Sequence, residues 1–278
     1  MKKRKEKIGA GEIIWFIILL ILAISIIYPL FWVVMSSFKS YSDIFNNVWG
    51  LPEEWHFENY PKAWSKGISQ YFVNSLIVTI ATLIGVVVIA TAGSFGIVQM
   101  RGKIANIIFL LCMFGLLLSP QVCVLPLFIL LKALKLKNTY WAMILPYIAF
   151  RLPISIMLVR AYFLSISKEL QEAATIDGAS LMQIYTKIYL PLSTPILSTV
   201  SIMTCYYAWN EFLFATIFVD SSKLRTIPVG LKVFSDGLMS DWGVILAGMT
   251  ISCIPLVLLF VILQKNFIRG ITAGAVKG

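Results

Sequence analysis

What this chain of 278 residues lacks limits its chemistry before any motif is considered. It has one histidine, His56, and 13 acidic residues, so bases and metal ligands are scarce. Its four cysteines, Cys112, Cys123, Cys205 and Cys253, fall in apolar stretches at spacings that fit no metal site. They read as small buried hydrophobes. No G-x-x-x-x-G-K-[ST] phosphate loop occurs, which excludes ATP hydrolysis by that route. Nor does any nucleophile–base or metal-ligand cluster argue for an enzyme. Charge is thin too: 13% of residues are charged and 59% hydrophobic. A soluble domain carries about a quarter charged residues, so the composition points to a bilayer.

The net charge of +10 does not argue for nucleic acid. Much of the excess sits in Lys2, Lys3, Arg4, Lys5 and Lys7, directly before an apolar run, as on the cytoplasmic flank of a membrane helix. No basic surface interleaved with aromatics follows. The first apolar run, 13–38, is too long for a signal-peptide core and has no small-x-small cleavage site, so it reads as a retained span. Five more follow, at about 71–98, 104–131, 139–163, 191–219 and 242–267. The expected fold is an all-α polytopic membrane protein: a basic N-terminus, 1–12, then one transmembrane domain, 13–278. Lys and Arg are in modest excess on the side of the N-terminal cluster, which also receives Arg101, Lys103, Arg160, Lys168, Lys187 and the C-terminal end. Both termini are therefore expected in the cytoplasm.

The polar insertion 164–190 is the most informative stretch. Ser167 is placed to N-cap a helix from Lys168 to about Ile176, with Glu169 and Glu172 near its positive end. Asp177-Gly178 breaks that helix, the glycine supplying a positive φ. Ser180 and Gln183 have the spacing of a capping box that opens a second short helix toward Ile188, and Pro191 starts the fifth span. Ala173 and Ala174 leave one side of the first helix thin. On these residues alone the insertion is either a loop packed on its own membrane domain or a docking element for a partner.

Glu172-Ala173-Ala174, three residues, Gly178, nine residues, Ile188, one residue and Leu190-Pro191 resemble the EAA motif of ABC importer permeases at every fixed position. In that family the loop is the coupling helix that sits in a cleft of the ATPase. The resemblance places Glu172, Ala173, Ala174, Asp177, Gly178 and Ser180 at that joint. The C-terminal run from Gln264 to Gly278, the Ala208-Trp209-Asn210-Glu211-Phe212 stretch and the Thr226–Leu231 loop are similar to carbohydrate permeases of the maltose-transporter type. So are Ser37-Phe38-Lys39 and Glu58-Asn59-Tyr60. The resemblance corresponds to the second of two unlike permeases. It implies a bacterial cell-membrane importer with a second permease, two ATPase subunits and an extracellular solute-binding protein. ATP would be hydrolysed by the partner, and this chain would bind no cofactor. Alternating access is the implied mechanism.

Polar side chains inside spans are costly and commonly face a cavity or a partner. Arg151, in the fourth span, and Glu211, in the fifth, lie at similar depth and are expected to pair or to line the translocation path. A helix–helix clamp without substrate contact is the alternative. Asn210 and Gln121 are candidate neutral neighbours, and Tyr206, Tyr207 and Trp209 candidates to stack on a sugar ring. A glycerophosphate-type solute fits the residues as well as a sugar does. A self-sufficient secondary transporter would want more intramembrane acids or histidines than Glu211 alone.

Overall fold

The computed structural model describes residues 10–100, 102–237 and 241–275. The basic cluster before residue 10, Arg101 and the last three residues lie outside the described residues. Every element described is helical. Helix α1 is Ala10–Ser36, α2 Ser69–Gln99, α3 Lys103–Phe114, α4 Pro120–Ala133 and α5 Trp141–Phe163. Next come α6, Lys168–Ile176, and α7, Leu181–Leu192, whose middle residues Tyr185–Tyr189 form a π-helical turn. Then follow α8, Thr194–Asn210, α9, Leu213–Phe218, α10, Ile227–Gly237, and α11, Trp242–Ala275.

Four helical runs are long and apolar enough to cross a membrane: Gly11–Ser36, Asn59–Gln99, Trp141–Phe163 and Trp242–Lys265. Two bent pairs, α3 with α4 at 101° and α7 with α8 at 75°, bring the number to six if each is one span. Some expected boundaries hold and others shift for physical reasons. The second span keeps close to 71–98, since α2 begins at Ser69; the helical turns from Asn59 are set off from it by a kink at Gly67, φ +127°. The expected 104–131 span is broken, because Pro120 disfavours helical backbone at Ser119, which is extended at ψ 131°. The expected 191–219 span starts at Thr194 after a corner at Ser193. It ends at Asn210, since Glu211 is extended at ψ 126°.

The chain forms two compact units. The first comprises residues 1–66 and 234–252. Its helix α1 is apolar on every side and exposed along most of its length, as a lipid-facing span requires. Beyond it, the Ser37-Phe38-Lys39 and Glu58-Asn59-Tyr60 stretches interlock. The Asn59 amide donates to the carbonyls of Ser37 at 2.9 Å and Lys39 at 3.2 Å. Tyr60 and Ser37 hydroxyls meet at 2.8 Å, and the Phe38 ring packs among Trp55, Phe57 and Tyr60. Gly243 closes on this knot so tightly that a β-carbon there would lie 2.5 Å from the Lys39 carbonyl oxygen.

The second unit, 67–233 and 253–278, is built on α2. Its buried face is rich in small polar residues, Asn74, Ser75, Thr79, Thr82, Thr91 and Ser94, which allow close approach of α5 and α8. At one end Asn74 ties down the segment before α10, donating to the carbonyls of Lys223 at 2.8 Å and Arg225 at 2.9 Å while accepting from the Tyr140 hydroxyl at 2.7 Å. One core gathers Val78, Tyr147, Phe214 and Phe218; another gathers Val86, Val159, Phe163, Ile184 and Tyr189. The cysteines are all free thiols; Cys205 is buried, Cys112 and Cys123 are half-buried, and Cys253 is exposed.

Candidate functional site

The insertion between α5 and α8 folds through contacts local in sequence. The Ser167 hydroxyl accepts from the Glu169 amide at 3.2 Å and opens α6. At its other end Gly178 takes φ +78°. The Ala179 amide reaches back to the Ala174 carbonyl at 2.9 Å and the Gly178 amide to Thr175 at 3.1 Å. Those two bonds are the Schellman closure, and they satisfy carbonyls that a helix end leaves open. Ser180 then caps α7 from both sides: its hydroxyl accepts from the Gln183 amide at 3.3 Å, and its own amide donates to Gln183 Oε1 at 2.8 Å.

The result is a glycine elbow with two faces. Glu172, Ala173, Asp177, Gly178 and Ser180 are exposed and Ala174 half-buried. Around them stand three large apolar side chains with no cover, Ile176 at 86% exposure, Met182 at 67% and Leu181 at 60%. On the other side Ile184 and Tyr189 are buried against α2 and α5.

A second polar region lies where α8 ends. A cavity of about 370 Å³ is lined by Arg151, Met203, Tyr206, Tyr207, Asn210 and Glu211. The structure brings Arg151 and Glu211 to one cavity, but among the described residues no ion pair joins them. Glu211 is engaged elsewhere. It accepts from the Tyr147 hydroxyl at 2.5 Å and from the backbone amides of Phe214 at 2.9 Å and Ala215 at 3.2 Å, so its carboxylate caps α9. This use of the carboxylate is why the fifth span stops there. Arg151 lies over the Tyr207 ring, 5.5 Å from its centroid, and its Nε is buried without a hydrogen-bond partner.

Two expected members fall outside the cavity. Gln121 is exposed in the first turn of α4, bonded to the Ser119 hydroxyl, and does not line it. Trp209 is turned away into the core, edge-on to Phe72 at 5.6 Å. Asn210 lines the cavity while its amide donates to the Tyr206 carbonyl of its own helix at 2.8 Å. Sequence reasoning missed Tyr147 and Met203. Tyr147 is wholly buried, and only its position four residues before Arg151, on the same helix face, signals a link.

Comparison with known proteins agrees with this architecture. The family described as "binding-protein-dependent transport system inner membrane component" matches residues 85–273. The chain is 50% identical to the probable ABC transporter permease protein YurM of Bacillus subtilis, over 99% of this chain and 91% of that protein. It is 33% identical to the trehalose/maltose transport system permease protein MalG of Thermococcus litoralis, over 93% of this chain and 94% of that one. Its fold is like that of a chain in the crystal structure of a bacterial ABC transporter involved in import of the acidic polysaccharide alginate. There the TM-score is 0.81 at 23% identity, over 95% of this chain and 100% of that chain. A helical chain with four to six candidate spans among its described residues and this family match is the membrane part of an ABC transporter, a permease and not an enzyme. This chain belongs to the family of binding-protein-dependent transport system inner membrane components.

Proposed function

We propose that this chain forms half of the translocation pathway for a sugar or oligosaccharide, and that residues 164–190 are the coupling helix through which a separate ATPase drives it. The carrying observation is the two-faced elbow. Caps at Ser167 and Ser180 and the Schellman closure at Gly178 set its outline through bonds between near neighbours. Yet Ile176, Leu181 and Met182 are left uncovered at its surface. A group of exposed apolar side chains at a polar surface suits a protein partner. In that complex Glu172, Ala173, Ala174, Asp177, Gly178 and Ser180 face the ATPase cleft. A second permease completes the membrane part, two ATPase subunits sit beneath it and an extracellular binding protein delivers the solute. Both termini and the elbow lie in the cytoplasm. ATP binds the partner, so this chain needs no cofactor. A sugar is favoured because curated relatives are named for trehalose and maltose and for multiple sugars, and because Tyr206 and Tyr207 give the cavity aromatic walls.

The test is co-purification. ATPase and partner permease are expected to purify with this chain tagged. The double substitution Ile176→Asp with Met182→Asp should lose the ATPase while keeping the permease. Retention of the ATPase by that variant sinks the docking assignment.

A further inference from the structure

The buried side of the elbow is fastened to α2 by three residues in one stripe. Thr91, Phe95 and Gln99 are spaced four apart, so they stack on a single face over the last turns of that helix. Each meets the insertion in a different way. The hydroxyls of Thr91 and Tyr185 are 2.7 Å apart. The Phe95 ring packs on Tyr185 with centroids 5.2 Å apart and edge-on to Tyr189 at 5.1 Å. Gln99 and Gln171 exchange both amide bonds, Gln99 Nε2 to Gln171 Oε1 at 3.1 Å and Gln171 Nε2 to Gln99 Oε1 at 2.8 Å.

Tyr189 locks the exchange in place. Its hydroxyl donates to Gln171 Oε1 at 2.8 Å, filling the second lone pair of that oxygen. Its ring is 2% exposed and pinned edge-on by Phe163 of α5 at 5.1 Å. Contacts spread over the nine residues from Thr91 to Gln99 span about 12 Å of helix, so neither sliding nor rolling of α6–α7 preserves all of them. Beyond the stripe, α2 is tied to α5, where Ser94 Oγ donates to the Ile156 carbonyl at 3.2 Å. Helix α5 in turn carries Arg151 to the cavity and Tyr147 to Glu211 on the cavity wall.

We propose that Thr91, Phe95 and Gln99 form a latch that makes α2 and the elbow move as one body, so displacement imposed at the elbow is delivered to α5 and the cavity. This rests on the reading of the elbow as the ATPase-docking element. The three are positioning residues: they touch neither ATP nor solute.

The test uses the complete transporter in lipid nanodiscs, with ATP as the probe and the purified cognate binding protein as the stimulus. In Gln99→Leu, stimulation of ATP hydrolysis by the binding protein is expected to fall about tenfold, while hydrolysis without it is unchanged. Gln99→Lys combined with Gln171→Glu replaces the amide pair by an ion pair that still accepts from Tyr189, and is expected to restore stimulation to within about twofold. Nitroxides at Ile89 and Thr175 report the mechanical side. Their distance distribution should stay narrow on vanadate trapping in the native chain and in the paired variant, and broaden in Gln99→Leu. If Gln99→Leu fails to assemble, Thr91→Val serves, with an expected loss of stimulation of about fivefold. Full stimulation in the assembled single variants, or no recovery in an intact paired variant, overturns the latch. A native complex from which the ATPase is absent, or one that keeps it after Ile176→Asp with Met182→Asp, overturns the docking reading instead.

Discussion

The elbow at Gly178 and the break at Glu211 are both places where a helix stops in the same unit, and they differ in how far their closing bonds reach. At the elbow every terminating bond joins residues within five positions: Ala179 to Ala174, Gly178 to Thr175, Ser180 to Gln183. At Glu211 two bonds are just as local, from the amides of Phe214 and Ala215, but a third comes from the hydroxyl of Tyr147, 64 residues earlier. The first is closed by its own sequence and presents a surface outward. The second is closed partly by the fold and borders an open cavity. Local closure suits a part that must keep its outline against a partner. Closure across helices suits a part whose shape must follow helix movement.

Substitutions can break this contrast, and the largest effect is expected at Glu211. Glu211→Ala removes the cap of α9 and leaves the buried Tyr147 hydroxyl without its acceptor, a loss of about 3 kcal/mol. It should appear as a lowered midpoint of thermal unfolding, and Tyr147→Phe in the same chain should recover part of it. Exchanging Arg151→Glu with Glu211→Arg is expected not to restore transport. An arginine at 211 cannot accept from the amides of Phe214 and Ala215, so restored uptake would show that the pair matters more than the cap.

At the elbow the expected costs are smaller and local. Gly178→Val places a β-branched residue at φ +78°, costing about 1–2 kcal/mol, with no clash because nothing lies within 4 Å of the added carbon. Retention of the ATPase on co-purification should fall, and Gly178→Asn should retain more of it, since asparagine tolerates that backbone. Ser180→Ala removes half the capping box for about 1 kcal/mol. Hydrogen exchange at the Gln183 amide should quicken while the amides of Phe214 and Ala215 are unmoved. The smallest effect is expected at Gln121, exposed and outside the cavity. Gln121→Ala should leave stability within about 0.5 kcal/mol and uptake unchanged. A clear loss of uptake there would move the translocation path toward α4.

How much could be read in advance follows the same division. Ser167, Gly178, Ser180 and Gln183 act on neighbours a few residues away, so spacing alone reveals them. The corner at Ser193 and the kink at Ser119 were less legible, because each lies inside an apolar run where hydropathy continues unbroken through the bend. Pro120 and Pro195 were the available signals. In the cavity, Arg151, Tyr206, Tyr207, Asn210 and Glu211 were recognisable as polar or aromatic groups in apolar spans. Their partners were not: Glu211 chooses a tyrosine over the arginine, Trp209 turns into the core, and Gln121 stands apart. Thr91, Phe95 and Gln99 carried a visible four-residue spacing, but nothing in it named Tyr185, Tyr189 or Gln171 as the other half.

By itself the amino-acid sequence determined that the chain crosses a membrane, which apolar runs are available to do so, and the capped shape of the elbow. Those follow from apolar run length and from hydrogen bonds between near neighbours, both of which are properties of short segments. Only the tertiary structure decided which buried polar groups satisfy one another and which helix the elbow grips. In a low-dielectric interior a polar group takes the best acceptor or donor that packing brings within reach, and reach is set by the fold.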